Sequence, residues 1–311
     1  MRAIRVHEFG DPEVLLLEEL PQPQPVDDEV LVRVQAAGVN AFETYVRSGL
    51  YARLPALPYT PGVDAGGILV ESGERVYVSG SLSGTYAEYA LCRRDQVHAL
   101  PDDISYAQGA ALGVPYETAH RALLQRARAV AGETVLIHGA SGAVGLAAVQ
   151  FALAAGLRVV GTAGSEAGRE LIIAQGDVLA FDHRDPLHLA AAVDAGGGRG
   201  FDVVIELLAS ANLGDDLTAL AVRGRVVVVG SRGTVTVDPR DLMTVDGTVM
   251  GMMVHHASAR QVSETYAAIA AGLHDGSLHP VVARELPLGE AARAHHHVTE
   301  RPALGKLVLV P

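Results

Sequence analysis

The chain has 311 residues, 49% of them hydrophobic, and a formal net charge of −12, so it is long enough for two domains and too apolar for a disordered protein. The negative charge disfavours nucleic acids and anionic membranes as partners, and no run approaches the roughly 18 apolar residues of a membrane span. With one cysteine, Cys92, and no charged and apolar leader at its start, the sequence predicts a cytoplasmic location.

The first hundred residues show short strand patterns between turn residues. Strands are predicted over residues 2–8, 29–37, 67–71, 75–79 and 87–91. This spacing is typical of a compact β-rich domain. From about Tyr106 the apolar residues recur at helical spacing, so the chain leaves that domain there.

The middle of the chain alternates apolar strands with helical patterns. The strands are predicted over residues 134–138, 158–162, 203–206 and 225–229. Such alternation predicts an α/β fold, in which a parallel sheet is covered by helices on both faces. A helix over residues 259–272 and a closing strand over residues 305–310 follow. We expect this tail to rejoin the first domain.

The sharpest local motif lies after the strand at 134–138. It reads Gly139-Ala140-Ser141-Gly142-Ala143-Val144-Gly145 and runs into a helical pattern. Unpaired amides at such a helix start bind a pyrophosphate without a basic side chain. Because Ser141 occupies the position of a second invariant glycine, the motif alone also fits an ordinary glycine turn.

The end of the next strand, residues 158–165, carries no acidic residue. Dinucleotide sites that prefer NAD usually place a carboxylate there, and a carboxylate repels a 2′-phosphate. The pattern therefore favours NADPH, with Ser165, Arg169, His183 or Arg184 as donors to that phosphate, although Glu166 argues for NAD. His183 and Arg184 fit exposed loop positions nearly as well.

Another buried strand ends in Val229-Gly230-Ser231-Arg232. Because parallel strands end on the ligand side of the sheet, this turn should face the same crevice, where Arg232 covers the cofactor. Thr118 is expected to support the nicotinamide or to cap a helix.

Blocks of sequence in a fixed order resemble the zeta-crystallin-like NADPH quinone oxidoreductases, which are zinc-free members of the medium-chain dehydrogenase/reductase superfamily. The blocks are RAIRVHEFGDPEVL, GVNAFETYVRSGLYARLPALPYTPGVDAGG, GTYAEYAL, PYETAHRAL, HGASGAVGLAAVQ, GTAGSEAGRE, VVVVGSRGTV and GKLVLV. The resemblance spans almost the whole chain. It implies a GroES-like catalytic domain built from residues 1–121 and 258–311, with a Rossmann domain over residues 122–257.

The resemblance also implies which residues contact NADPH. They are Tyr45, Ser141, Gly142, Ala143, Val144, Gly164, His183, Asn212, Val229, Gly230, Ser231, Arg232, Met252, Met253 and Val254. The residue patterns above add Thr118, Ser165 and Arg169 to this set. Ala143 stands where relatives often have glycine, and alanine fits there unless the position needs a positive φ.

Asn40, Tyr45 and Tyr51 are the catalytic candidates that the resemblance implies, since they would line the cleft above the nicotinamide. An amide and two phenols can donate hydrogen bonds to an acceptor oxygen that gains negative charge. Whether a tyrosine supplies a proton or only shapes the pocket stays open, and simple packing fits both tyrosines equally well.

No metal site is predicted. A single cysteine cannot supply the Cys and His ligands of a zinc alcohol dehydrogenase, and Asn40 and Gly62-Val63-Asp64 replace two of its ligand motifs. Without a Lewis acid the substrate should accept hydride readily, as a quinone or conjugated carbonyl does.

Two further features receive no functional role. The run His295-His296-His297 is interpreted as a solvated helix face, because adjacent helical residues point about 100° apart. The basic residues are almost all arginine, with Lys306 the only lysine, and this bias is interpreted as an effect of base composition rather than of a binding function.

Other functions stay open. The sequence barely separates quinone reduction from reduction of an enoyl or alkenal double bond, and zeta-crystallin relatives also serve as recruited lens structural proteins or RNA-binding proteins. A hydrolase with Ser141 as nucleophile is disfavoured, since the final glycine of G-x-S-x-G is missing. The apolar segment 248–254 predicts a sheet edge through which a homodimer forms.

Overall fold

This computed structural model describes residues 1–300 and 304–311. The strands are β1 Arg2–Arg5, β2 Leu16–Glu19, β3 Glu29–Val39, β4 Asp64–Leu69, β5 Arg75–Ser79, β6 Tyr89–Arg93, β7 Val97–Ala99, β8 Thr134–Ile137, β9 Arg158–Ala163, β10 Val178–Asp182, β11 Phe201–Glu206, β12 Leu220–Val228, β13 Thr248–Gly251, β14 Val282–Pro287 and β15 Lys306–Val310. The helices are α1 Ala41–Arg47, α2 Tyr106–Gly109, α3 Gly113–His120, α4 Ala143–Ala154, α5 Glu166–Ile173, α6 His188–Ala195, α7 Ala209–Thr218, α8 Pro239–Thr244, α9 Ala259–Asp275 and α10 Ala291–Glu300.

The chain forms two compact units. Residues 1–114 and 280–311 make the first unit, and residues 115–279 make the second. The sequence placed the boundaries at 121/122 and 257/258. The later boundary differs because α9 belongs to the second unit, where Thr265 Oγ1 on α9 is bonded to His120 Nδ1 at 2.9 Å and accepts from Gln125 at 3.1 Å.

The first unit is built on a mixed sheet of seven strands. Its order is β14-β15-β3-β4-β5-β7, and β6 also pairs with β3. The closing strand β15 runs antiparallel to β3, with Leu309 opposite Ala37. The prediction that the tail rejoins the β-rich domain is therefore confirmed for the closing strand and wrong for the helix over residues 259–272, which belongs to the second unit.

The second unit is built on six parallel strands in the order β10-β9-β8-β11-β12-β13. The central strands β8 and β11 are mostly apolar and buried, for example at Leu136 and Val204, as expected of strands covered on both faces. The chain order reverses between β8 and β11, and ligands of such sheets bind at the carboxyl ends of the strands beside this switch point. The predicted doubly wound Rossmann sheet is confirmed.

Within the part of the chain that the structure describes, no helix has the length and apolar character needed to span a membrane.

Candidate nucleotide-binding and active site

The glycine motif forms the turn between β8 and α4. Gly139 has a φ of +57°, and Gly142 precedes α4 as its N-cap without a side-chain cap. A Cβ on Gly145 would lie 2.5 Å from both the Gly139 oxygen and the Ala140 Cα, so only glycine lets the helix pack this closely on the turn. The first amides of α4 therefore remain open to an anion.

Alanine is tolerated at position 143. The described residues other than glycine that have a positive φ are Asp27, Arg128, Arg223 and Asp246, and Ala143 is the first residue of α4. The departure from glycine leaves the geometry of the turn intact, because a helical residue needs no positive φ.

The ends of β9 and β10 form one corner of the sheet. Gly164 follows β9, and a Cβ there would lie 2.6 Å from His183 Nε2, so the small residue makes room for the imidazole. Ser165 is the N-cap of α5 and accepts from Gly168 N at 3.1 Å. Ser165, Gly164 and His183 are thus brought together at this corner by β10, a strand that the sequence analysis did not predict.

An acidic residue that the sequence analysis overlooked stands at the same corner. Asp182, the last residue of β10, pairs in register with Ala163. Its carboxylate contacts Arg169 Nη1 at 3.0 Å and Arg184 Nη2 at 2.7 Å. Hydrogen bonds from Arg184 hold the pKa of Asp182 well below its ordinary value. The carboxylate is therefore neutralised by two arginines, which a search of the β9 end alone could not show.

The remaining predicted contacts lie at the ends of β11, β12 and β13. Asn212, on α7, donates to Glu206 Oε1 at 3.3 Å, and Val229 N donates to the Glu206 carbonyl at 2.8 Å. Ser231 and Arg232 are exposed, whereas Met252 is buried and bonds to the Val228 carbonyl.

Most of the predicted cofactor residues thus gather at the carboxyl edge of the six-stranded sheet. They are Ser141, Gly142, Ala143, Val144, Gly164, Ser165, Arg169, His183, Asn212, Val229, Gly230, Ser231, Arg232, Met252, Met253 and Val254. Thr118 is buried on α3, and Tyr45 lies in the first unit.

Among the described residues, one buried group carries the side-chain types of a metal site: His138, Glu206 and Asp216. His138 follows β8, Glu206 ends β11, and Asp216 lies on α7. The sequence analysis did not single out this group, because both acidic residues lie 68 or more positions after His138. The three side chains come together only because β8 pairs with β11.

The catalytic candidates of the first unit lie on or beside α1. Asn40 is the N-cap of α1, Tyr45 is on the helix, and Tyr51 follows it. Both tyrosines are half-buried, and the Tyr51 ring lies 5.7 Å from the Phe42 ring. The phenols are therefore partly accessible, whereas Asn40 is 6% exposed.

The side-chain amide of Asn40 uses its oxygen and both of its N–H groups in hydrogen bonds within its own unit. Its Oδ1 accepts from Lys306 Nζ at 2.6 Å, and its Nδ2 donates to Asp64 Oδ2 at 2.9 Å and to Glu43 Oε1 at 3.3 Å. Both amide hydrogens are used, so no N–H of this side chain is left for an acceptor oxygen.

Lys306 has a structural role that the sequence analysis denied it. Its side chain is 1% exposed, and its Nζ also bonds to Asp64 Oδ2 at 2.9 Å. Asp64 Oδ1 in turn accepts from Val114 N at 3.0 Å. A buried ammonium needs such partners, so Lys306, to which the sequence analysis gave no functional weight, has a specific role in the packing of this unit.

A second buried chain of polar groups leaves Glu43. Its Oε2 accepts from Tyr86 Oη at 2.7 Å, and Tyr86 Oη lies 3.3 Å from His295 Nε2. Burial raises the pKa of Glu43 to about 7 and lowers that of His295 to about 3. His295 is fully buried, so the predicted solvated face is wrong for this residue, because α10 turns it toward Tyr86.

The buried ion pair generates a stability prediction. Lys306→Met leaves the Asp64 carboxylate buried without its cation, and we expect a loss of about 3–5 kcal/mol in the free energy of unfolding. The measurement is urea unfolding at neutral pH. The double variant Lys306→Met/Asp64→Asn should recover more than half of that loss.

Arg94→Met is the matched control, since it breaks the exposed pair between Arg94 and Glu71. We expect that control to cost less than about 1 kcal/mol. Equal losses in Lys306→Met and Arg94→Met would show that the buried pair contributes no more than a surface pair.

Two family models match the chain. The model described as "Alcohol dehydrogenase GroES-like domain" matches residues 26–102, and the model described as "Zinc-binding dehydrogenase" matches residues 143–271. The first match identifies the β-rich unit as the predicted GroES-like domain, and the second lies within the Rossmann unit.

Curated and solved proteins agree with these matches. The human protein named quinone oxidoreductase is 44% identical over 100% of this chain and 98% of its own length. The solved structure of an Escherichia coli quinone oxidoreductase complexed with NADPH has a TM-score of 0.91 at 28% identity, and both chains are covered fully. A structure described as an NAD-dependent alcohol dehydrogenase, at 27% identity with full coverage of both chains, has a TM-score of 0.92, so fold alone does not choose the cofactor. The chain belongs to the quinone oxidoreductase family of the medium-chain dehydrogenase/reductase superfamily.

Proposed function

We propose that this protein reduces quinones and uses NADPH as the hydride donor. The observation that carries the proposal is the similarity over the whole chain to proteins named quinone oxidoreductase. The turn between β8 and α4 fits the cofactor, since Gly145 permits the close packing that leaves the helix amides open to a pyrophosphate.

The corner of β9 and β10 favours NADPH over NADH. Arg169 and Arg184 both contact Asp182, which leaves one net positive charge in this trio. His183 lies beside Gly164 at the same corner. A 2′-phosphate can replace Asp182 as a partner of the exposed Arg184, whereas an unpaired carboxylate would repel it.

Tyr45 and Tyr51 are the donors that we propose for the acceptor oxygen. NADPH supplies the hydride when bound. As the quinone accepts this hydride, its carbonyl oxygen gains negative charge. A phenol stabilises that charge by a hydrogen bond. Because both amide hydrogens of Asn40 are used internally, we assign Asn40 to positioning α1 rather than to direct donation.

We further propose that the reaction needs no zinc. Asn40 Oδ1 and Asp64 Oδ2 both bind the Lys306 ammonium. A divalent cation at these oxygens would be repelled by the buried positive charge. The single cysteine, Cys92, is buried, and burial raises the pKa of its thiol to about 12, so it is not a ready thiolate ligand. A lone buried thiol also suits the reducing cytoplasm that we propose as its location.

A homodimer through β13 completes the proposal. β13 is the terminal strand of its sheet, and Val249 and Met253, which lie on and beside it, are 36% and 38% exposed. An open apolar edge is normally covered. Two copies of β13 can pair around a two-fold axis, which is the commonest symmetry of soluble oligomers.

Turnover tests the reaction. We expect NADPH oxidation with ortho- and para-quinones, unchanged by a chelator, and slower oxidation with crotonyl thioesters. Loss of a phenol donor in Tyr45→Phe or Tyr51→Phe should lower kcat at least about tenfold in one of the two variants. Turnover of enones alone would instead indicate a double-bond reductase, and binding without turnover would indicate a recruited, non-catalytic role.

Arg184→Ala tests the choice of cofactor. We expect the Kd for NADPH to rise by roughly tenfold or more, since a charge-assisted bond contributes about 1.5–3 kcal/mol, with no comparable change for NADH. Fluorescence titration of both nucleotides provides the measurement. Arg260→Ala, at an 82% exposed arginine of α9, is the control. An equal rise for NADPH and NADH would rule out recognition of the 2′-phosphate by Arg184.

Sedimentation tests the dimer. We expect the protein to sediment as a dimer at micromolar concentration and Val249→Lys to shift it toward the monomer, because the substitution places a charge on the apolar edge. Leu187→Lys, at a residue 69% exposed before α6, is the control and should stay dimeric. A monomeric parent protein would refute the proposal.

A further inference from the structure

Three buried titratable side chains lie at the switch point of the parallel sheet. His138 is 2% exposed, and Glu206 and Asp216 are 0% exposed. His138 Nε2 lies 2.8 Å from Asp216 Oδ1 and 3.8 Å from Glu206 Oε2. His138 follows β8 and Glu206 ends β11, so the cluster lies directly beneath the strand ends where a ligand binds.

Glu206 contacts two of the loops that carry predicted cofactor contacts, those after β11 and β12. Its Oε1 accepts from Leu208 N and from Asn212 Nδ2. Its carbonyl accepts from Val229 N and Gly230 N at 2.8 and 3.3 Å. The side chain therefore holds the loop after β11 and Asn212 of α7, and the backbone carbonyl of the same residue holds the loop after β12.

His138 connects the cluster to the glycine turn. Its Nδ1 lies 3.3 Å from Thr162 Oγ1, which also accepts from Gly139 N at 3.3 Å. Burial lowers the pKa of His138, which favours the neutral ring. With its proton on Nε2, it donates to Asp216 while Nδ1 accepts from the Thr162 hydroxyl.

The two carboxyl groups leave an unsatisfied pair of acceptors. In the described part of the chain, neither Glu206 Oε2 nor Asp216 Oδ2 has a hydrogen-bond partner, and both atoms are buried. One ligand atom from each of His138, Glu206 and Asp216 lies within 4.8 Å of the other two. Two ionised carboxylates so close would repel, whereas a single proton held by the pair removes one of the two negative charges.

We infer that Glu206 is a positioning residue for the nucleotide, and that it holds its loops in place as one half of a carboxyl pair that shares a proton with Asp216. The inference rests on the proposed binding of NADPH. Losing the shared proton adds a negative charge under the loops that must accept the phosphates, so nucleotide affinity falls as the pair ionises.

The sign of the pH dependence follows from the environment. Burial, as the largest cause, raises the pKa of both Glu206 and Asp216 to about 7. The other titratable groups that act on the cluster are Asp215 on α7 and His183 after β10. The pair keeps its proton below neutral pH and loses it above, so NADPH binds more weakly at alkaline pH.

Glu206→Gln separates this role from simple packing. Glutamine keeps the acceptor for Leu208 N and offers its amide N–H to Asp216, which imitates the protonated pair without titrating. The ratio of the parent Kd to the Glu206→Gln Kd for NADPH should rise about tenfold from about pH 6 to about pH 8.5, since one unit of pKa shift corresponds to a tenfold change. Titrations of NADPH and His183 cancel in this ratio.

Infrared spectroscopy of the nucleotide-free protein tests the proton itself. We expect a carbonyl band of a protonated carboxylic acid near pH 6, one component of which disappears in both Glu206→Gln and Asp216→Asn. The component from Glu43, whose pKa burial also raises to about 7, should remain in both variants. Glu290→Gln, at an exposed surface carboxylate, is the control and should retain the band. This readout stands whether or not NADPH binds, so a failure of the proposed function would not be mistaken for a failure of this inference.

Two results would overturn the inference. One is the absence of a carboxylic acid band that depends on both residues. The other is a ratio of dissociation constants that stays constant with pH. A rise in the melting temperature on addition of Zn²⁺, seen in the parent protein and lost in Glu206→Gln, would likewise overturn it, because the cluster would then be a cation site.

Discussion

Residue 145 has to be glycine, because no other side chain allows α4 to approach the turn that follows β8. The nearest backbone atoms would lie 2.5 Å from a Cβ at this position. Close approach keeps the first amides of α4 directed at the carboxyl edge of the sheet, where the other strand ends also meet. The parallel order of the six strands then determines which distant residues share that edge, so the proposed nucleotide site depends on this contact.

Each unit buries ionisable groups, which lose their hydration on folding. The two units offset the free-energy cost of that desolvation in different ways. In the first unit, Lys306 is bonded to Asp64 and Asn40, so a buried charge has an opposite charge beside it. In the second unit, the carboxyl groups of Glu206 and Asp216 lie beside each other and beside a neutral histidine, His138. A shared proton is the remaining way to avoid two adjacent negative charges. The first arrangement stabilises an N-cap of α1, and the second stabilises the loops at the strand ends.

Periodicity and turn chemistry predicted most elements of both sheets. The buried parallel strands β8 and β11 contain short apolar runs, and β15 is apolar after Lys306, so local sequence was sufficient for them. The boundary before α9 was misplaced because an amphipathic helix can pack on either unit. Its partners, His120 and Gln125, are about 140 positions away along the chain, and no local sequence pattern predicts such a contact.

The sequence by itself determined the α/β class, the glycine turn and the residues at the strand ends, because each of these follows from local propensity or from a resemblance along the chain. Only the tertiary structure decided the roles of Lys306, Asp182 and His295. Lys306 reaches Asn40 across 266 positions, Asp182 meets Arg169 through strand pairing, and α10 turns His295 inward. The physical reason is that the charge state and use of a polar side chain depend on what surrounds it after folding, and sequence spacing does not specify those surroundings.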